Sequence, residues 1–398
     1  MVSMVGRRSR SFTEPVEGIL RRSGLAYLDL GIVAGALGLV AASLVTLAAS
    51  TQELVEGSPL FYVTRQSIYA GVGFLIMLAL ARFDYSRFRE LRVGLYAALI
   101  VSILFVLAFG VAARGSQRWI ELPYFTFQPS ELGKVILILA LAGFTIDRAK
   151  RLPEGQRTAR LVLLGLFPAA VVFVQPDLGT GLVYGVITLS ILFVAGVRWT
   201  HFAALGGAAV VAVTLVLAVA PAIGTPLLHD YQQSRLTAFI NPSEDPGAAS
   251  YQSLQAIIAV GSGQKTGRGA EATQTQLDFL PEHHTDFIFA VVGERFGFVG
   301  AAFVLSLYAL LFWRALRILT ISKNLYGTLI AGGIASIILF QVFVNVGMSI
   351  GVMPITGIPL PLMSYGGSSV LVTFMALGLL QSIFIQSQLT SKGRQRPF

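Results

Sequence analysis

The sequence predicts an all-α, polytopic integral membrane protein of about ten transmembrane helices, with a large extracytoplasmic loop between the seventh and eighth. Three observations carry this expectation. The 398 residues are 55% hydrophobic and only 12% charged, with a mean hydropathy of +0.73; a soluble chain of this length could not cover so much apolar surface. Charge-free apolar runs recur at or near the roughly 20 residues a bilayer-spanning helix needs. Strand-like alternation is absent, which argues against a transmembrane barrel.

The helices are expected at about 28–50, 63–82, 92–113, 129–147, 160–176, 178–197, 202–224, 286–313, 324–350 and 367–387. The first apolar run is of span length and follows a basic, polar segment, so it reads as an uncleaved anchor rather than a signal peptide. The fourth carries Glu131 and Lys134, and Pro129 suits its first turn. The fifth and sixth are separated only by Gln175-Pro176-Asp177. Before the tenth, Pro354, Pro359 and Pro361 alternate with Gly357, Gly366 and Gly367. That composition predicts an irregular, re-entrant stretch, tolerated at membrane depth only where protein or water surrounds it. The chain thus divides into a tail (1–27), a membrane domain (28–387) with its loop at about 225–285, and a second tail (388–398). Within the loop, Tyr251, Leu254 and Ile258 share one helical face, which suits a helix lying in the interface plane. The absence of cysteine removes disulfides and thiolate metal sites.

Charge sets the expected orientation. With a cytoplasmic N-terminus, 21 of the 29 Lys and Arg residues fall on inner segments, the other eight being Arg65, Arg114, Arg118, Lys134, Arg235, Lys265, Arg268 and Arg295. Such a bias in short loops orients a membrane protein, here with both termini cytoplasmic. The formal charge of +9 therefore speaks for topology and membrane lipids, not for nucleic acid.

Five polar segments then fall at or near the outer face: 115–134, 175–181, 231–286, Glu294-Arg295 and 353–369. Asp286, at the seam between loop and eighth helix, has two readings. It is a helix cap, together with Thr285, or it is a carboxylate at the edge of a low-dielectric cavity, where it serves as a general base. Glu131 and Lys134 lie three apart on one helical face. They neutralise each other or mark a substrate path. Arg118 suits a lipid head group or an anionic substrate, and Trp119 is an ordinary interfacial residue. Asp177 reads as a cap or, with Gln175, as part of the outer polar cluster. Ser364, Ser368 and Ser369 bring hydroxyls to the re-entrant stretch. Glu294 and Arg295 face different directions and are expected to pair with other helices. His283 and His284 are sequence neighbours, which do not share a helical face and so make a weak metal site.

The chain resembles the SEDS family (shape, elongation, division and sporulation), which includes RodA, FtsW and SpoVE. The likeness spans nearly the whole length and rests on ordered motifs: "RWI" with "QPSELGK", "QPDLGTG", "QSRLTAFINPSEDP", "YQSLQAIIAVGSG", "TQLDFLPEHHTDFIFAVVGERFG" and "GIPLPLMSYGGSS". The flavour of the last two is nearer RodA, the elongation member. The resemblance implies a peptidoglycan glycosyltransferase that polymerises lipid II at the outer face of the cytoplasmic membrane beside a class B penicillin-binding protein. It implies that Asp286 is the essential aspartate, that Trp119 is the functional tryptophan of the second outer loop, and that Glu131 and Lys134 are the polar pair of the fourth helix. The chain departs from the family pattern at Gln264-Lys265 and at Arg295. Inverting transfer needs one base and no covalent intermediate. Arg118, Lys134, Arg235, Lys265 or a divalent cation such as Mg or Mn would then offset charge on the departing pyrophosphate. A lipid II flippase and a scaffold recruiting the penicillin-binding protein are the competing expectations.

Overall fold

The computed structural model describes residues 27–51, 58–113, 116–122, 125–148, 153–222, 235, 239, 248–277 and 279–394. Ten apolar helices organise the chain: α1 (Leu30–Ser50), α2 (Phe61–Arg82), α3 (Arg92–Phe109), α4 (Pro129–Arg148), α5 (Glu154–Val174), α6 (Leu178–Val194), α7 (Trp199–Thr214), α8 (Ile288–Ile321), α9 (Leu325–Ser349) and α10 (Gly367–Arg394). Among the described residues nine helices are long and apolar enough to cross a membrane, and α6, with 17 residues, falls just short of that length. α10 packs along α2, α8 lies against α1 and α9, and α5 against α6. The all-α membrane fold is therefore as expected.

Several boundaries differ, each for a local reason. α3 stops at Phe109, short of residue 113, because the chain turns there into a small antiparallel sheet. Its strands are β1 (Val111–Ala113), β2 (Ser116–Leu122) and β3 (Phe125–Phe127), in the order β1-β2-β3. α8 runs on to Ile321, so Arg314 and Arg317, expected in a loop, lie on its last turns. Arg314 is accommodated because its Nε donates to the buried Asp29 carboxylate at 2.8 and 2.9 Å. α10 continues to Arg394, past the expected end at 387. Most of the first part of the expected 225–285 loop lies outside the described residues. Its later part holds a helix (Ala248–Ser262). That helix buries Ser250, Ala256 and Ala259 and exposes Tyr251, Leu254, Ile257 and Ile258, an apolar outer face of the kind an interface helix needs.

Two helices show how sequence defects are repaired. Pro168 sits inside α5, where it removes the amide that would bond the carbonyl four residues earlier. The Tyr96 hydroxyl donates to that carbonyl, Leu164 O, at 2.9 Å. α8 breaks at Gly297 (φ 62°, ψ −159°), a conformation open to glycine and costly for other residues. The break frees the amides of Phe298 and Val299, and the carbonyls of Gln264 and Lys265 accept them at 2.9 and 3.1 Å. In return Arg268 N donates to Glu294 O at 2.8 Å. The loop is thereby stitched into the broken helix, and close backbone approach is why Gly263 and Gly267 stand where they do: a Cβ at Gly263 would fall 1.8 Å from Gly293 O.

α7 differs from the others. None of its residues from Trp199 to Thr214 is buried. Only its first turns touch the bundle, through Phe202 and Leu205; an apolar helix packed this sparsely belongs in hydrocarbon.

Candidate active site

The site grows from the re-entrant segment. Residues 350–366 form no regular element, yet Ile355, Ile358, Leu360, Leu362, Met363 and Ser364 are buried. Irregular backbone at that depth must find partners, and side chains from surrounding elements supply them. Ser43 Oγ of α1 donates to Met363 O at 2.6 Å and Gln66 Nε2 of α2 to Ser364 O at 3.1 Å. Tyr308 OH of α8 donates to Pro361 O at 2.5 Å. Asn345 Nδ2 of α9 donates to Ile358 O at 2.8 Å and Arg235 Nη1 to Ile355 O at 3.3 Å. Ser43, Gln66, Tyr308 and Asn345, polar residues within the helices, thus serve this one segment.

Asp286 stands beside it. The cap position of α8 is Phe287, which offers no side-chain acceptor, so Asp286 lies one residue outside the cap. Its backbone carbonyl accepts from Asn345 Nδ2 at 2.8 Å. Its carboxylate reaches Gly357: a Cβ built on that glycine (φ +72°) would lie 3.5 Å from Asp286 Oδ2 and 3.4 Å from Arg235 Nη1. Carboxylate and guanidinium therefore converge on one backbone position, whose positive φ favours glycine. The preceding loop is fixed too. Tyr365 N donates to His284 O at 2.9 Å, and the ring of Tyr62 lies 4.7 Å from that of His284 and 4.8 Å from that of Tyr365. Both ring nitrogens of His283 face backbone carbonyls, of Leu280 at 3.0 Å and Ser50 at 3.2 Å.

A second group joins α4, α6 and β2. Asp177 caps α6 by accepting from Thr180 N at 3.1 Å. It also accepts from Gln128 Nε2 at 2.9 Å and faces Arg118 Nη1 at 3.5 Å. Gln128 N in turn donates to Ser368 Oγ at 3.1 Å, and Ser368 Oγ to Thr126 O at 3.0 Å. Ser364 Oγ accepts from Leu360 N at 2.8 Å. The two serines therefore use their hydroxyls on backbone groups, Ser364 within its own turn and Ser368 across to the segment before α4. Gln175 is buried and its Nε2 donates to Ile103 O of α3 at 2.7 Å, a tie between helices. Trp119 lies half-buried on β2, opposite Val111.

One turn into α4, Glu131 and Lys134 are both buried and 2.5 Å apart. They line a cavity with Gln341, Thr373 and apolar residues of α9 and α10 that leaves about 20 Å³ for water-sized occupants. That is room for about one water.

These contacts also place two further residues. Glu294 pairs with the short helix Thr273–Gln276. It is fully buried, and its carboxylate accepts from Gln274 N (2.8 Å), Thr275 N (3.1 Å) and the Thr275 hydroxyl. Lys265 is exposed and contributes its backbone carbonyl to α8; the contacts do not bring it to Asp286. Sequence reasoning missed Asn345, Gln128 and Ser130, whose carbonyl accepts from Tyr184 OH at 2.9 Å. An asparagine within an apolar helix was the available signal for the first. Among the described residues no three His, Cys, Asp or Glu side chains cluster as a metal site would require.

Comparison with known proteins places this geometry. Residues 26–389 match the family described as cell cycle protein, FtsW/RodA/SpoVE. The peptidoglycan glycosyltransferase MrdB of Escherichia coli is 38% identical over 337 residues, covering 84% of this chain and 89% of the relative. Stage V sporulation protein E of Bacillus subtilis is 36% identical over 327 residues, covering 81% and 87%. RodA of Thermus thermophilus superposes with a TM-score of 0.66 at 29% identity, covering 93% of this chain and 98% of that one. A chain solved in work on structural coordination of polymerization and crosslinking by a peptidoglycan synthase complex gives 0.76 at 32%, covering 90% and 98%. The chain belongs to the FtsW/RodA/SpoVE (SEDS) family and is a RodA-like peptidoglycan glycosyltransferase.

Proposed function

We propose that the chain polymerises lipid II into glycan strands at the extracytoplasmic face of the bacterial cytoplasmic membrane during cell elongation, with Asp286 as general base. The observation that carries this reading is the convergence of the Asp286 carboxylate and the Arg235 guanidinium on Gly357. In the reaction, the 4-hydroxyl of the acceptor sugar attacks the anomeric carbon of the donor. The new C–O bond forms as the bond to pyrophosphate breaks, with inversion. The hydroxyl proton passes to the carboxylate, and the pyrophosphate leaves with the bonding electrons. A positioned base typically contributes about 10²–10⁴ in rate. A fixed guanidinium beside it suits the charge that grows on the leaving group.

Arg235, whose guanidinium stands with the Asp286 carboxylate at Gly357, is the candidate for the pyrophosphate. A divalent cation bound here would take most of its ligands from pyrophosphate and water, since no cluster of three ligating side chains stands among the described residues. Rates with and without magnesium or manganese ions read that contribution directly. A class B penicillin-binding protein as crosslinking partner agrees with the synthase-complex likeness.

Two assays separate this function from transport. Purified protein with its partner should convert lipid II to glycan strands in detergent, where no compartments exist. Fluorescent lipid II in sealed vesicles should not change sides. Flipping without polymerisation would contradict the proposal.

A further inference from the structure

We propose that Asn345 is a positioning residue for sugar transfer: its amide ties the backbone of Asp286 to that of the re-entrant segment. The inference rests on the assignment of the base to Asp286. Asn345 lies in the last two turns of α9 and is fully buried. Its Nδ2 donates to Asp286 O and to Ile358 O, each at 2.8 Å. A primary amide carries two such hydrogens, so both are used. Its Oδ1 is buried and has no hydrogen-bond partner among the described residues.

Compare Gln381. Its amide pairs at both ends with one residue: Oε1 accepts from Asp29 N at 2.8 Å and Nε2 donates to Asp29 O at 3.0 Å. That arrangement satisfies the side chain. Asn345 leaves a desolvated acceptor unpaired, which costs stability, and spends both donors bridging two segments distant in sequence. Asp286 precedes the first turn of α8, where no helical hydrogen bond of its own fixes its carbonyl. Ile358 follows Gly357, the position on which the Asp286 carboxylate and Arg235 converge. One amide therefore sets the spacing between the backbone that carries the carboxylate and the backbone it rests against.

Asn345→Leu removes both donors at similar volume, and Asn345→Asp keeps the shape while exchanging donor for acceptor. With purified protein and lipid II, kcat should fall about a hundredfold in each, the scale expected for a misplaced reacting group, while KM stays near the wild-type value. Asn345→Ser, milder and still able to donate once, should lose about tenfold on the same scale if the larger changes fail to fold. Gln381→Leu breaks a matched pair of buried amide bonds away from the site and should keep its activity per folded molecule. Equal losses per folded molecule in the Asn345 and Gln381 variants would overturn the proposal. So would a loss confined to KM, or wild-type kcat in a folded Asn345 variant. Asp286→Asn, run alongside, reports on the base separately: activity there would refute that assignment whatever Asn345 does.

Discussion

Glu131 and Lys134 show what a charge costs inside a bundle. Each is buried and each has the other as its near partner. Removing one leaves the other desolvated and alone, at about 3–5 kcal/mol, whereas replacing both by apolar groups is often neutral for stability. Glu131→Leu and Lys134→Leu should each lower the thermal midpoint in detergent clearly. The double variant should regain most of it. If the pair also serves substrate, polymerisation stays low in the double variant although the fold recovers; recovery of both would make the pair purely structural. The spacing of three made this pair readable in the sequence. Asp286 was readable through its place at the end of a polar loop. Asn345 was not singled out, because its purpose lies in two carbonyls that only folding brings together.

At the scale of elements, hydropathy placed all ten helices, since a lipid-facing helix needs a long apolar run and little else. Their ends were less readable. α8 continues through Arg314 because Asp29 neutralises it across the bundle. The β1-β2-β3 sheet escaped notice because β1 and β3 have only 3 residues each and β2, SQRWIEL, does not alternate apolar with polar residues. Repair of α5 by Tyr96 gives a sharp prediction. Tyr96→Phe should destabilise by about 1–3 kcal/mol, the cost of leaving a carbonyl unpaired. In a Pro168→Ala background the restored amide serves Leu164 O, and the same change should cost much less. Thermal unfolding of the four proteins measures the coupling, and equal costs in both backgrounds would contradict it.

Across the whole molecule, both ends of the bundle are defined by contacts. At one, Asp29, Arg314 and Gln381 lock α1, α8 and α10. At the other, His283 and His284, just before Asp286, are tied to Ser50 and to the re-entrant segment. The proposed function needs the second end outside, the orientation expected from charge bias. The chain has no cysteine, so single introduced cysteines read topology without background. Lys265→Cys should react with a membrane-impermeant thiol reagent added to spheroplasts, and Lys323→Cys should not. The reverse pattern would turn the site to the cytosol and end the proposed reaction. The most direct measurement, however, is glycan strand formation by Asp286→Asn, which keeps size and shape but cannot take up the proton. The account predicts a monodisperse protein whose rate falls by at least about a hundredfold; strands formed at the wild-type rate would show that another group accepts the proton.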